Sequence, residues 1–413
     1  MSKIFSWFIV AVAVAGLFTG SMMIGCGGGE SEKTEKGKKQ TSSVAPKDMP
    51  KMVLANSIYT SWNTYFITAA VLDEDGEMIA DPREGYIGSL EKKWGVDLVV
   101  LDQEYTKTIE TYGNSNCDAV TMTNMDAVAP AASRKSVVIM PNSTSYGADA
   151  LAVADKIKTM DDLKSAKVYV LEKSVEEYCW WRGLNLMKLD PKAFKFENKD
   201  PESIAPAMQQ MQIDAGFLWN PLLRATLNSR KDIRVMFDST LIPGEIIDTV
   251  VVGQDYMDKP HGKSGACLLI DIYYTINQHL ADEKTHSKTM KLLGSKFGNL
   301  DEAAMADLVR QTRFFATPEQ GIALFTKGVV FPWPQRVNDT RTLFTNVNFD
   351  PKGFGVTNKT LKDVMPIVME FNLTHDMVKD AVKVGYGTKS EAPDAQLRFD
   401  PSFMKDVADF YKK

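Results

Sequence analysis

Short apolar runs alternate with amphipathic stretches along the body of this chain. Residues 52–55, 96–101, 119–122 and 136–140 are runs of the strand type, rich in Val, Leu, Met and Ile. Between and around them, 64–72, 86–94, 106–112 and 127–132 carry apolar residues at helical spacing, and Gly95 is placed to cap the second of these. A second series follows, with strands expected at 150–154, 168–171, 194–197, 215–219 and 233–237. Its helices are expected at 160–166, from Ser174 to about Met187, at 201–211 and after Pro221. Strands separated by helices predict βαβ units, hence an α/β fold of two lobes, each a mostly parallel sheet flanked by helices. One more apolar run, 246–252, is followed by a helical pattern at 268–280, 287–297, 300–309, 318–325, 361–371 and 402–411. No internal repeat is visible.

The stretch 215–252 organises this reading. Its strand 215–219 breaks at Asn220-Pro221, and the residue before a proline is pushed out of the helical region, so Trp219 stands at a strand end that opens into a helix. A polar segment, 238–245, then leads into the run 246–252 and is expected to carry the chain back from the second lobe to the first. The expected lobes are residues 51–146 with 250–413, and residues 147–249. Ser174-Val175-Glu176-Glu177 has the form of a capping box at a helix start.

The ends of the chain read differently. Lys3, an apolar run at 4–17 and Met23-Ile24-Gly25-Cys26 make a secretory signal whose last residues resemble the bacterial lipoprotein cleavage site. Residues 1–25 are expected to be removed and Cys26 to carry lipid, which would hold the protein on a membrane outside the cytoplasm, in the periplasm or at the cell surface. Residues 26–50 have little to bury and read as a flexible tether. Residues 73–85 are full of turn formers and read as a surface insertion.

Composition excludes several classes. A net charge of −5 with no Lys/Arg stripe gives no reason to expect nucleic acid. Besides Cys26, the cysteines are Cys117, Cys179 and Cys267, an odd number without a close pair, so a disulfide framework is not expected, although one bridge is possible. The histidines, His261, His279, His286 and His375, do not stand at metal-ligand spacing on one helix. Neither a metal site nor a cofactor is expected.

Four strand-to-helix corners offer polar or aromatic groups where the ligand of an open α/β sheet would sit. They are Ser61 and Trp62 with Tyr65; Asn124 with Asp126; Ser174 with Glu176 and Tyr178; and Trp219 with Asn220. Glu172, Glu245 and Asp248 are close in sequence. Each group also fits a plainer role: Trp62 and Tyr65 as core aromatics, Asp126 and Glu176 as helix caps. Acids dominate these corners, and Lys173 is the one base beside them in sequence. A carboxylate about 4 Å from a cation is worth roughly 4 kcal/mol at an effective dielectric near 20, and a Trp face adds about 0.5–2 kcal/mol. The balance favours a small amine, amidine, guanidinium or urea-like solute over nitrate or a sulfonate.

Met122–Ala127 (MTNMDA), Trp219–Leu223 (WNPLL), Phe237–Asp248 (FDSTLIPGEIID) and Thr312–Gln320 (TRFFATPEQ) carry a resemblance to the solute-binding components of ABC importers. The group resembled includes nitrate-, taurine- and thiamine-precursor-binding proteins, and within it the likeness is to proteins encoded beside urea carboxylase. It extends over about residues 51–349. The resemblance implies a two-lobed periplasmic-binding-protein fold of type II, no catalysis, a urea- or guanidine-like solute, and a membrane permease as partner of a monomer. It implies that Asp126, Ser174, Tyr178 and Trp219 face the ligand. The family joins its first strand and helix more directly than this chain does at 73–85. Alternatives are a nitrate, sulfonate or thiamine-precursor binder, an enzyme of the same fold of the pyrimidine-precursor synthase type, and a sensor lipoprotein.

Overall fold

The computed structural model describes residues 49–68, 87–326 and 359–412. The signal peptide, Cys26, nearly all of the tether, the 73–85 insertion and the end of the first helix (69–72) lie outside the described residues, as does the 327–358 stretch.

Two sheets carry the fold. The larger has the order β11-β12-β4-β10-β3-β1-β2, built from β1 (Lys51–Asn56), β2 (Asp97–Asp102), β3 (Ala119–Thr123), β4 (Ser136–Thr144), β10 (Ile247–Gly253), β11 (Val384–Tyr386) and β12 (Leu397–Phe399). The smaller has the order β7-β6-β8-β5-β9, from β5 (Asp149–Ala154), β6 (Lys167–Val170), β7 (Lys195–Asn198), β8 (Ala215–Trp219) and β9 (Ile233–Asp238). Helices flank both, so the α/β class read from the sequence stands.

The sheets are mixed. Strand β10 runs antiparallel to both β3 and β4. Strand β5 runs antiparallel to both β8 and β9. The remaining pairs are parallel. Burial explains the sequence of the central strands. Every residue of β3, β4, β5, β8 and β10 is buried, and a strand covered on both faces reads as a continuous apolar run rather than an alternation.

Among the described residues, two short segments join the sheets: residues 145–148, between β4 and β5, and residues 239–246, between β9 and β10. They are tied to each other. Ser145 N donates to the Ile246 carbonyl (3.0 Å), Gly147 N donates to Ser239 Oγ (2.7 Å), and the Ser145 and Ser239 hydroxyls lie 2.9 Å apart. Gly147 adopts φ +92°, a conformation that a side chain would strain. Asn124 fixes the return: its Nδ2 donates to the Glu245 carbonyl (3.1 Å) while its Oδ1 accepts from Ile247 N (2.9 Å).

Two details depart from the sequence reading. The helical C-terminal part contains two short strands, β11 and β12, which extend the large sheet beyond β4. At the Ser174 helix start, Ser174 Oγ accepts from Glu176 N (3.1 Å), but the Glu177 carboxylate accepts from Lys173 N rather than from Ser174 N, so the box is displaced by one residue. Cys117, Cys179 and Cys267 are all free and buried.

Candidate functional site

Parallel strands of both sheets end, and the antiparallel strands β5 and β10 begin, around one cavity. It is lined by the loop after β1 (Ser57, Ile58, Tyr59, Trp62), by Tyr105 and Thr123, by Asp149, Val175 and Trp219 from the small-sheet side, and by Ile246 and Asp248. Its cavity volume is about 20 Å³, and the space that opens to solvent at its mouth brings the empty volume to about 340 Å³.

Aromatic rings form one wall. Trp62 stacks on Tyr105 at 5.5 Å and 21°, and Tyr105 meets the edge of Trp219 at 5.6 Å and 77°. Tyr59 leans on Trp62 at 5.0 Å. The wall therefore runs from the large-sheet side to Trp219 at the end of β8. Trp62 is buried, yet its Nε1–H has no hydrogen-bond partner. An unpaired buried donor costs about 1–3 kcal/mol unless something enters to accept from it.

The other feature is negative charge. Asp149 and Asp248 line the cavity, while Asp126 and Glu176 lie buried one step behind Thr123 and Val175. Each has hydroxyl or backbone donors and no basic partner among the described residues. Asp126 accepts from Tyr105 Oη and from Thr123 Oγ1 (2.9 Å). Asp149 accepts from Ser145 Oγ, and Asp248 from Ser143 Oγ. Glu176 takes one long bond from Leu171 N (3.4 Å), and its Oε1 has no partner. Burial pushes Asp126 up to about 7, against the donors Tyr105 and Thr123. Burial likewise raises Asp149 to about 6, against the bond from Ser145. Asp248 and Glu176 are raised well above the carboxylate range, first by burial and then, among other causes, by the charge of Asp149.

The remaining residues expected at the site occupy other places. Ser61 is buried and accepts from Ser143 Oγ (2.8 Å), one bond behind Asp248. Tyr65 is a core residue against Met140 and Asn142. Asn124 holds the return segment, as described above. Ser174 caps its helix and donates to the Leu171 carbonyl (2.7 Å). Asn220 is buried and donates to Gln311 Oε1 (2.6 Å). Glu172 is exposed and stands away from the cavity.

Glu245 belongs to a different cluster. Arg182 grips it through Nε (2.8 Å) and Nη2 (3.1 Å), Lys359 Nζ reaches Oε1, and Tyr178 Oη donates to Oε2 (2.8 Å). Lys173 is thus not the one base near these acids. Burial alone would raise Glu245, but Arg182 and Lys359 overcome it and hold the carboxyl below its ordinary value. Both it and Tyr178 are turned away from the cavity lining. Sequence reasoning missed Asp149, Tyr105 and Tyr59, which line the cavity.

No family model and no curated protein matches the sequence. Solved structures do match in shape. The periplasmic sulfonate-binding protein SsuA of Methylobacillus flagellatus KT aligns with a TM-score of 0.57 at 12% identity, over 88% of this chain and 96% of that one. The aliphatic sulphonate binding protein SsuA of Escherichia coli aligns at 0.50 and 17% identity, over 64% of this chain and 84% of that one. The alkanesulfonate-binding SsuA of Xanthomonas axonopodis pv. citri, bound to MOPS, aligns at 0.50 and 14% identity, over 63% and 84%. At these identities the likeness is one of fold, and the fold is that of the type II periplasmic binding proteins.

Proposed function

We propose that this protein is the extracytoplasmic solute-binding component of an ABC importer and that it takes a small cationic nitrogen compound of the guanidinium type. The observation that carries the reading is the cavity itself: aromatic faces and two lining carboxylates, with two more acids behind them and no Lys or Arg in the lining. A flat cation stacks on Trp62 or Trp219 and donates to Asp149 and Asp248. One such ion pair contributes roughly 4 kcal/mol at an effective dielectric near 20. The sulfonate solutes named for the similar structures would meet carboxylates here without a lining base to offset them.

The two sheets serve as lobes, with β1–β4 and β10–β12 in one and β5–β9 in the other, so that residues 247–249, at the start of β10, go with the first lobe. They close on the solute about the 145–148 and 239–246 segments, because contacts made by both lobes favour the closed form. Binding rather than catalysis is the work of the cavity, and a membrane permease receives the solute from a monomer. Cys26 anchors the chain by lipid; Cys26→Ala should release it from the membrane fraction, and an unchanged distribution would remove the anchor from this account.

Calorimetry of the purified protein against guanidinium, urea, nitrate and taurine tests the solute class. Guanidinium should bind and the two anions should not. Binding of nitrate or taurine without guanidinium would reverse the assignment.

A further inference from the structure

We infer that Asp149 is the charge selector of this cleft, and that a cation enters in exchange for a proton held by the acid cluster around it. The inference rests on the cation-site reading above and adds which residue imposes it and at what cost in protons.

Asp149 is the first residue of β5, opposite Trp219 in the antiparallel register. It is buried, it lines the cavity, and it is the charge common to the cluster: burial is what chiefly raises Asp126, Glu176 and Asp248, and the Asp149 carboxylate adds to the rise in each. Among the described residues no basic group offsets it. The other charged or titratable groups that act on the cluster are Asp238 on Asp149, Glu202 on Glu176, and the hydroxyl of Tyr105 on Asp126. Tyr59, Cys179 and Tyr273 hold their own protons more tightly, first through burial and then in part through the charge of Asp149 or Asp248. Arg182 and Lys359 are committed to Glu245.

Four buried carboxyls that act on one another through Asp149 are not all ionised without a counter-charge, just as paired carboxyls share protons. Without a counter-charge the cluster therefore keeps protons at neutral pH, in keeping with Asp126 held up to about 7 by burial. A cation beside Asp149 supplies the missing charge, and a proton leaves the cluster for the buffer. Charge balances: one cation in, one proton out. The unpaired buried Nε1–H of Trp62 and Oε1 of Glu176 independently mark the region as incomplete without an occupant.

The test is calorimetry of the full chain with guanidinium chloride at pH 7 in two buffers of different ionisation enthalpy, phosphate and Tris. About one proton should be released per cation bound, and affinity should fall up to about tenfold per pH unit below pH 6. In Asp149→Asn, guanidinium affinity should fall at least tenfold and proton release should shrink, while urea affinity holds or rises. Equal enthalpies in both buffers with binding intact would overturn this inference alone. So would full guanidinium affinity in Asp149→Asn. Failure of guanidinium to bind the unaltered protein would overturn the cation-site reading and this inference together. Far-ultraviolet circular dichroism confirms that the variant is folded, and the two-buffer comparison on the unaltered protein needs no variant.

Discussion

Two groups of buried acids lie in the middle of this molecule, and they are opposite in kind. Glu245 is fully buried, yet two cations and a tyrosine hydroxyl satisfy it and hold its proton affinity down. Asp126, Asp149, Asp248 and Glu176 are equally buried, receive only neutral donors, and are all pushed up. Residue type and depth are the same, so what differs is the partner. A paired buried charge is part of the architecture. A buried charge left unpaired beside a cavity is destabilising by itself and becomes favourable only when a counter-charge arrives.

Breaking the paired side should produce the largest effect. Glu245→Gln leaves Arg182 and Lys359 without their carboxylate, and the unfolding free energy should fall by about 3 kcal/mol in a urea titration. A loss below about 0.5 kcal/mol would mean that Glu245 is not the anchor its contacts describe.

The unpaired side should respond with the opposite sign. Asp149→Asn removes a repulsive charge, and the empty protein should gain about 2 kcal/mol at pH 8. The pH dependence follows from Asp126 near 7 and Asp149 near 6 in the folded chain, against about 3.9 for an unfolded Asp. Between these values the folded chain binds more protons than the unfolded one, so this contribution is present below about pH 4 and is lost as pH rises through 6 and 7. Melting of the empty protein from pH 5 to 8 should show this fall, reduced in Asp149→Asn. A melting temperature that rises across the interval in the unaltered protein would contradict the cluster's proton affinity.

Smaller effects sharpen the boundary of the site. Trp219→Ala removes one ring of the wall and should weaken guanidinium binding by about 2 kcal/mol, read by calorimetry. Glu172→Gln should change neither affinity nor stability by more than about 0.5 kcal/mol, because the side chain is exposed and outside the lining. A tenfold loss of affinity there would place Glu172 in the site after all.

Much of the fold was legible because the central strands are buried on both faces and announce themselves as apolar runs. Strands β11 and β12, three residues each, are too short to show a period. Looking beyond the carboxyl ends of strands points to Trp62 and Trp219, and both line the cavity. The same rule missed Asp149, because β5 is antiparallel and its amino end lies where its neighbours' carboxyl ends lie. Tyr105 falls one residue before the helix expected at 106–112 and was not singled out, whereas it is the first residue of that helix. Glu172 follows a strand as the rule requires, but the chain turns it outward. Glu245 could not be told from Asp248 in the sequence, since the cations that neutralise it stand 63 and 114 residues away.

A crystal structure of the protein grown with guanidinium and nitrate together tests the central claim most directly. A planar cation should lie against Trp62 or Trp219, about 3 Å from carboxylate oxygens of Asp149 and Asp248. Nitrate in that cavity, or guanidinium bound only elsewhere on the surface, would contradict it.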